Sequence, residues 1–156
     1  MKTFQDAAGR NWTISLTLGT AMAVKDALGI DLLAPESGDP PLLTRLGTDE
    51  LLLGQVICCL LAGQFEANKV TESDVRNAFD GATLLAAQKA FYEELVSFFR
   101  SRGRTDRAKA VEKQAKIIEL ATAAVTEKID AMDLESEIAG AMSGLSQDRS
   151  GSTPEV

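Results

Sequence analysis

The hydrophobic period of this chain changes once, near residue 18, and that change limits the folds open to it. Trp12, Ile14, Leu16 and Leu18 alternate with Asn11, Thr13, Ser15 and Thr17, the period of a half-buried strand. Ahead of them, Asp6-Ala7-Ala8-Gly9 sets Asp first and Gly fourth in a type I turn. The return into a twisted ribbon there commonly needs a residue of positive φ. Residues 4–18 therefore predict a β-hairpin. A two-stranded ribbon is marginal alone in water, so it must lie on the rest of the chain.

Beyond residue 18 the chain reads as helix. A short helix is expected over 20–28, ended by Gly29 in the left-handed conformation. The loop APESGDPP (34–41) leads to a helical turn over 41–46, with Pro41 at its first position. Thr48 is expected to cap a central, most buried helix over 49–67. Thr71-Glu72-Ser73-Asp74 resembles a capping box with Asp in place of Glu, opening a helix that ends at Asp80-Gly81. A helix over 82–100 carries Leu84, Ala87, Phe91, Leu95 and Phe98 on one stripe, widened by Tyr92 and Phe99. Thr105 is expected to cap a last helix reaching about Met142. The fold class is α+β, mostly α: a hairpin-plus-helix domain over 1–101, a long C-terminal helix over 102–144, and a disordered tail over 145–156.

Several kinds of chemistry lack their residues. Histidine is absent, which removes the usual general base near neutral pH and the commonest metal ligand. Cys58 and Cys59 are adjacent inside an apolar run and read as reduced core thiols. No Gly-rich phosphate loop, nucleophile elbow or zinc spacing occurs. The expectation is no catalytic residue, no metal and no cofactor. The acidic set Glu127, Asp130, Asp133 and Glu137 shares a helix face but lacks a calcium loop, and reads as a solvated face. No basic-then-apolar leader is visible and the longest apolar run, 51–62, is too short to span a bilayer. The reading is a soluble protein of the cytoplasm.

Charge is unevenly distributed. The formal net charge is −7, yet residues 100–116 hold seven basic and two acidic residues, and residues 117–156 two basic and eight acidic. The last helix thus begins basic and continues acidic, against the preference of its macrodipole. Arg100, Arg102, Arg104 and Arg107 are candidates for electrostatic contact. They lack the interleaved aromatics of a nucleic-acid surface. Along the same helix Val111, Ala115, Ile118, Thr122, Val125, Ile129 and Met132 recur at alternating spacings of four and three. Such a seam pairs helices, either on this chain's own bundle or between molecules.

One order of short motifs is familiar. An F-x-D-x-x-G-R-x-W hairpin (Phe4, Asp6, Gly9, Arg10, Trp12) is followed by G-x-D-L-L (Gly29, Asp31, Leu32, Leu33). Then come an apolar helix, V-T-E-x-D from Val70 to Asp74, and E-E-L-V-x-F-F from Glu93 to Phe99. Over about residues 1–100 the chain resembles the tail assembly chaperones of phages and prophages, small proteins encoded beside the tape-measure gene. The resemblance implies a non-enzymatic protein of the bacterial host cytoplasm. Its partners would be the tape-measure protein, tail-tube subunits and copies of itself, without membrane or nucleic acid. Two expectations place the binding. In the first, the seam residues Val111, Ile118, Val125, Ile129 and Met132 pair with a client helix. In the second, the hairpin of Phe4, Trp12 and Ile14 packs Trp12 and Ile14 on the helices and leaves one strand edge free for a partner strand, that of a tube subunit. The alternatives are a permanent virion connector or tail component, and a small nucleic-acid-binding regulator acting through residues 100–116.

Overall fold

A computed structural model of the protein describes residues 1–131 and residue 141. The architecture is α+β and mostly α. Strands β1 (Lys2–Gln5) and β2 (Asn11–Ile14) form one antiparallel ribbon, followed by helices α1 (Leu18–Leu28), α2 (Leu42–Thr48), α3 (Glu50–Leu61), α4 (Glu72–Asn77), α5 (Gly81–Ser101) and α6 (Thr105–Ala131). Two compact units are present, Met1–Ile118 and Glu119–Val156.

The ribbon turns as its sequence dictates. The Gly9 amide donates to the Asp6 carbonyl at 3.0 Å, and Gly9 takes φ +81°, a value that costs other residues strain. Phe4 lies opposite Trp12 and Lys2 opposite Ile14. Both Phe4 and Trp12 point into the core, each against a further ring: Phe79 at 5.6 Å and Phe65 at 5.9 Å between centroids, edge to face. The ribbon is covered by α5, which lies against β1, and by α3, which lies against β2.

Several boundaries differ from expectation, most of them where a cap outcompeted a pattern. Alternation ends at Leu16, because Thr17 and Thr20 form a reciprocal capping box and α1 starts at Leu18. Leu18 is therefore an exposed first-turn residue. Pro41 stands just outside α2, and Thr48 belongs to that helix, its hydroxyl donating to the Thr44 carbonyl at 2.9 Å. The cap of α3 is Asp49, whose carboxylate accepts from the Leu52 amide at 3.0 Å. That helix ends at Leu61, short of residue 67, in a single 3-10 turn, Ala62–Gln64. The capping box of Thr71 and Asp74 forms as expected, and Gly29 ends α1 at φ +70°.

The core lies where α3 and α5 cross the ribbon. Val56, Ile57 and Leu61 of α3 and Phe91, Leu95 and Phe99 of α5 are almost wholly buried, with Trp12 and Ile14 between them. Burying each such side chain contributes about 1.5–3 kcal/mol. On α5 the expected stripe is shifted: Phe99 is the core residue, while Phe98 and Leu84 are half-buried. The first half of α6 joins this unit through Ala108 and Val111, fully buried, and through Ala115 and Ile118, partly so. Gly47 of α2 makes room: a Cβ there would lie 2.7 Å from Gln114 Nε2 and 3.2 Å from Ile118 Cδ1. Among the described residues no single helix is long and apolar enough to cross a membrane.

Candidate interaction surface

The residues singled out in the sequence separate into two groups. Phe4, Trp12, Ile14 and Val111 have their side chains in the core, so a partner could touch them only by unfolding the domain. Ile118 is packed against that core and against Gly47. For these five the side chains are internal packing. Trp12 and Ile14 lie on the helices as expected, Val111 and Ile118 follow the own-bundle reading of the seam, and the expectation that they and Phe4 meet a partner is corrected. Val125 and Ile129 are the other group, 58% and 55% exposed on α6. Met132 lies outside the described residues, as do Asp133 and Glu137 of the acidic set.

The strand-edge expectation also changes. The Gln64 carboxamide closes the outer edge of β2, accepting from the Thr13 amide at 3.0 Å and donating to the Thr13 carbonyl at 2.7 Å. A proline at Thr13 would therefore break a bond within this chain. Because Thr13 bonds outward, Phe4 with Trp12 and Lys2 with Ile14 are the pairs that bond across the ribbon. The open edge is that of β1, at exposed Thr3 and Gln5.

The hairpin motif has a physical reason that its sequence did not show. The Asp6 side chain is fully buried and accepts four donors. These are the Ala8 and Arg10 amides at 2.9 Å each, the Trp12 indole N–H at 2.9 Å and the Arg10 guanidinium at 3.3 Å. Burial pushes its carboxyl up, but the indole, the two amides and the Arg10 charge together outweigh burial and leave it below the usual value. Asp, Gly, Arg and Trp are thus parts of one hydrogen-bonded turn. Glu94 of α5 plays a similar part from a distance, its carboxylate accepting from the Leu16 amide at 3.1 Å and from the Met1 amine at 2.9 Å.

The arginines are mostly engaged. Arg100 pairs with Glu112, and Arg104 with Asp106 at 2.8 Å. Arg107 donates to the Leu33 carbonyl and to Glu36 at 2.6 Å, and its guanidinium lies over the Phe99 ring. It fastens the loop after α1 to α6. Of the four, Arg102 alone has no ion pair among the described residues. Burial pushes both cysteine thiols up; Arg76, distant in sequence, lies near Cys58 and opposes this without reversing it. No group of three or more acidic or cysteine side chains that could hold a metal occurs among the described residues. Beside the hairpin turn an open depression of about 300 Å³ is lined by Ala7, Ala8, Arg10, Asp74, Asn77 and Ala78. Its charged groups are committed, Arg10 to Asp6 and Asp74 to the Thr71 cap.

The surface facing outward on α6 is mixed, with apolar side chains among its charged ones. Besides Val125 and Ile129, the side chains of Ile117 (51%) and Leu120 (56%) are exposed, and sequence periodicity had passed over both because they lie off the seam. No protein-family model, curated protein or solved structure matches this chain.

Proposed function

We propose that this protein is a non-enzymatic assembly chaperone of the phage tail type, holding an apolar helix of a tape-measure-like client while tail-tube subunits assemble. The observation that carries this reading is the exposure of Val125 and Ile129 at the same heptad spacing that buries Val111 and seats Ile118. A helix that keeps a pairing seam in water has the surface needed to shield a client's own seam. The net charge of −7 keeps such a molecule soluble while its sticky stripe is open. The motif order of residues 1–100 supports the same reading, and the host cytoplasm is the compartment it implies.

The test is co-purification with the protein encoded by the neighbouring long helical reading frame. Val125→Asp with Ile129→Asp should weaken capture at least ~tenfold, the scale of a lost apolar anchor, with an unchanged melting curve. Undiminished capture ends the reading. Ile118 is unsuitable for this test, since it packs on Gly47. Finding the chain in purified particles would favour a permanent virion component instead. The nucleic-acid reading has less support, because Arg100, Arg104 and Arg107 are engaged within the chain. A low-salt shift assay disposes of it if no complex forms.

A further inference from the structure

We propose that Gln64 makes an autoinhibitory contact: the outer edge of β2 can accept the β2 of a second copy of this chain, and the Gln64 carboxamide holds that edge shut. This inference does not depend on the client reading, and every residue it uses belongs to the first compact unit.

An edge strand offers its outward N–H and C=O groups to any extended chain. On β2 these belong to the odd-numbered residues, because Trp12 and Ile14 bond across to β1. Thr13 is the middle one. A single side chain satisfies both of its groups, the Gln64 oxygen accepting from the amide and the Gln64 nitrogen donating to the carbonyl, as a neighbouring strand residue would. The next outward carbonyl, that of Ser15, accepts from the Thr20 hydroxyl at 2.9 Å. Gln64 is placed by the 3-10 turn after α3. There the Asn68 side chain donates to the Gln64 carbonyl at 2.9 Å, and the adjacent Phe65 ring lies against Trp12.

What the contact excludes follows from the pattern of the strand. About a two-fold axis perpendicular to the ribbon at Thr13, β2 pairs antiparallel with itself. Thr13 then stands opposite Thr13, Trp12 opposite Ile14 and Asn11 opposite Ser15 of the second copy. That register keeps the two apolar side chains on the core face and the polar ones on the other, and a threonine pair is a favourable cross-strand neighbour. Four strands are also more stable than a two-stranded ribbon. The β1 edge differs, because its line is interrupted at Ala7, whose amide donates to the Ala78 carbonyl at 3.0 Å. Any pairing at β1 is common to the wild type and to Gln64 variants, so the difference between them reports on β2.

The experiment uses the full chain in sedimentation equilibrium. Gln64→Ala should raise the self-association constant at least ~tenfold over wild type. Gln64→Lys should not, since its ammonium still reaches the Thr13 carbonyl and sets a charge on the edge. Gln64→Asn, one methylene too short to hold both groups, replaces Gln64→Ala if the latter loses the wild-type circular dichroism spectrum, and should show the same gain. Register is read by oxidation in the associating variant. Thr13→Cys should cross-link to itself, whereas Asn11→Cys should not, because its copies stand about 14 Å apart along the paired strands. The same variant without an added cysteine, with Cys58 buried and Cys59 half-buried in the native fold, gives the baseline. The proposal is overturned if the shortened side chain associates no more than wild type, if Gln64→Lys associates as strongly as Gln64→Ala, or if Asn11→Cys cross-links as readily as Thr13→Cys.

Discussion

Asp6 shows how one side chain can turn a sequence motif into a structure. It is buried, it accepts from two amides and an indole, and no other carboxylate replaces it. Asp6→Asn presents an amide N–H to groups that are themselves donors. It should destabilise the domain by about 2 kcal/mol or more in urea titration, the cost of stranding a buried donor. The pH dependence follows from the sign of the shift. The folded-state pKa of Asp6 is lowered, so its stabilisation is fully present above the unfolded value of about 3.9 and is lost as pH falls through the folded value. Acid unfolding below about pH 4 should be less steep in Asp6→Asn than in wild type; equal slopes would remove Asp6 from the account. Tyr92 provides the contrast. Its hydroxyl is buried with no hydrogen bond of good geometry among the described residues, and burial pushes its pKa up to about 12 against the opposing effect of the neighbouring Gln88 side chain. Tyr92→Phe should therefore be neutral or stabilising, within about 1 kcal/mol, whereas a large loss would mean that the hydroxyl has a partner.

At the scale of elements, local chemistry was readable wherever one residue decides. Gly9 and Gly29 were legible because a turn and a helix end each need positive φ. Thr71 and Asp74 were legible because the box is closed within four residues. The start of α3 was not, since Thr48 and Asp49 are both good caps and only the geometry of the α2–α3 corner gives the work to Asp49. Asp49→Ala should cost about 1 kcal/mol in thermal unfolding and Thr48→Ala clearly less. Nor could the sequence show Gln64 at the edge of β2, fifty-one positions from Thr13. Gln64→Ala should lower stability by about 1–2 kcal/mol for two lost hydrogen bonds and speed amide exchange at Thr13. Unaltered exchange would show that the edge is held by something else.

For the molecule as a whole, the first compact unit spans Met1–Ile118. A chain ending there should keep the wild-type melting temperature to within a few degrees while losing capture of a helical client; coincident loss of both would mean that the distal residues stabilise the fold. The sequence by itself determined the α+β class, the hairpin turn, the helix end at Gly29, the capping box at Thr71 and the approximate extent of the helices, because these depend on periods and pairs within a few residues. The existence of a period-3.5 seam on α6 was equally plain. Which part of that seam is buried was decided by tertiary structure alone. Burial depends on whether another element lies over the helix. Gly47 comes to Ile118 from seventy-one positions away, while among the described residues Val125 and Ile129 stay exposed.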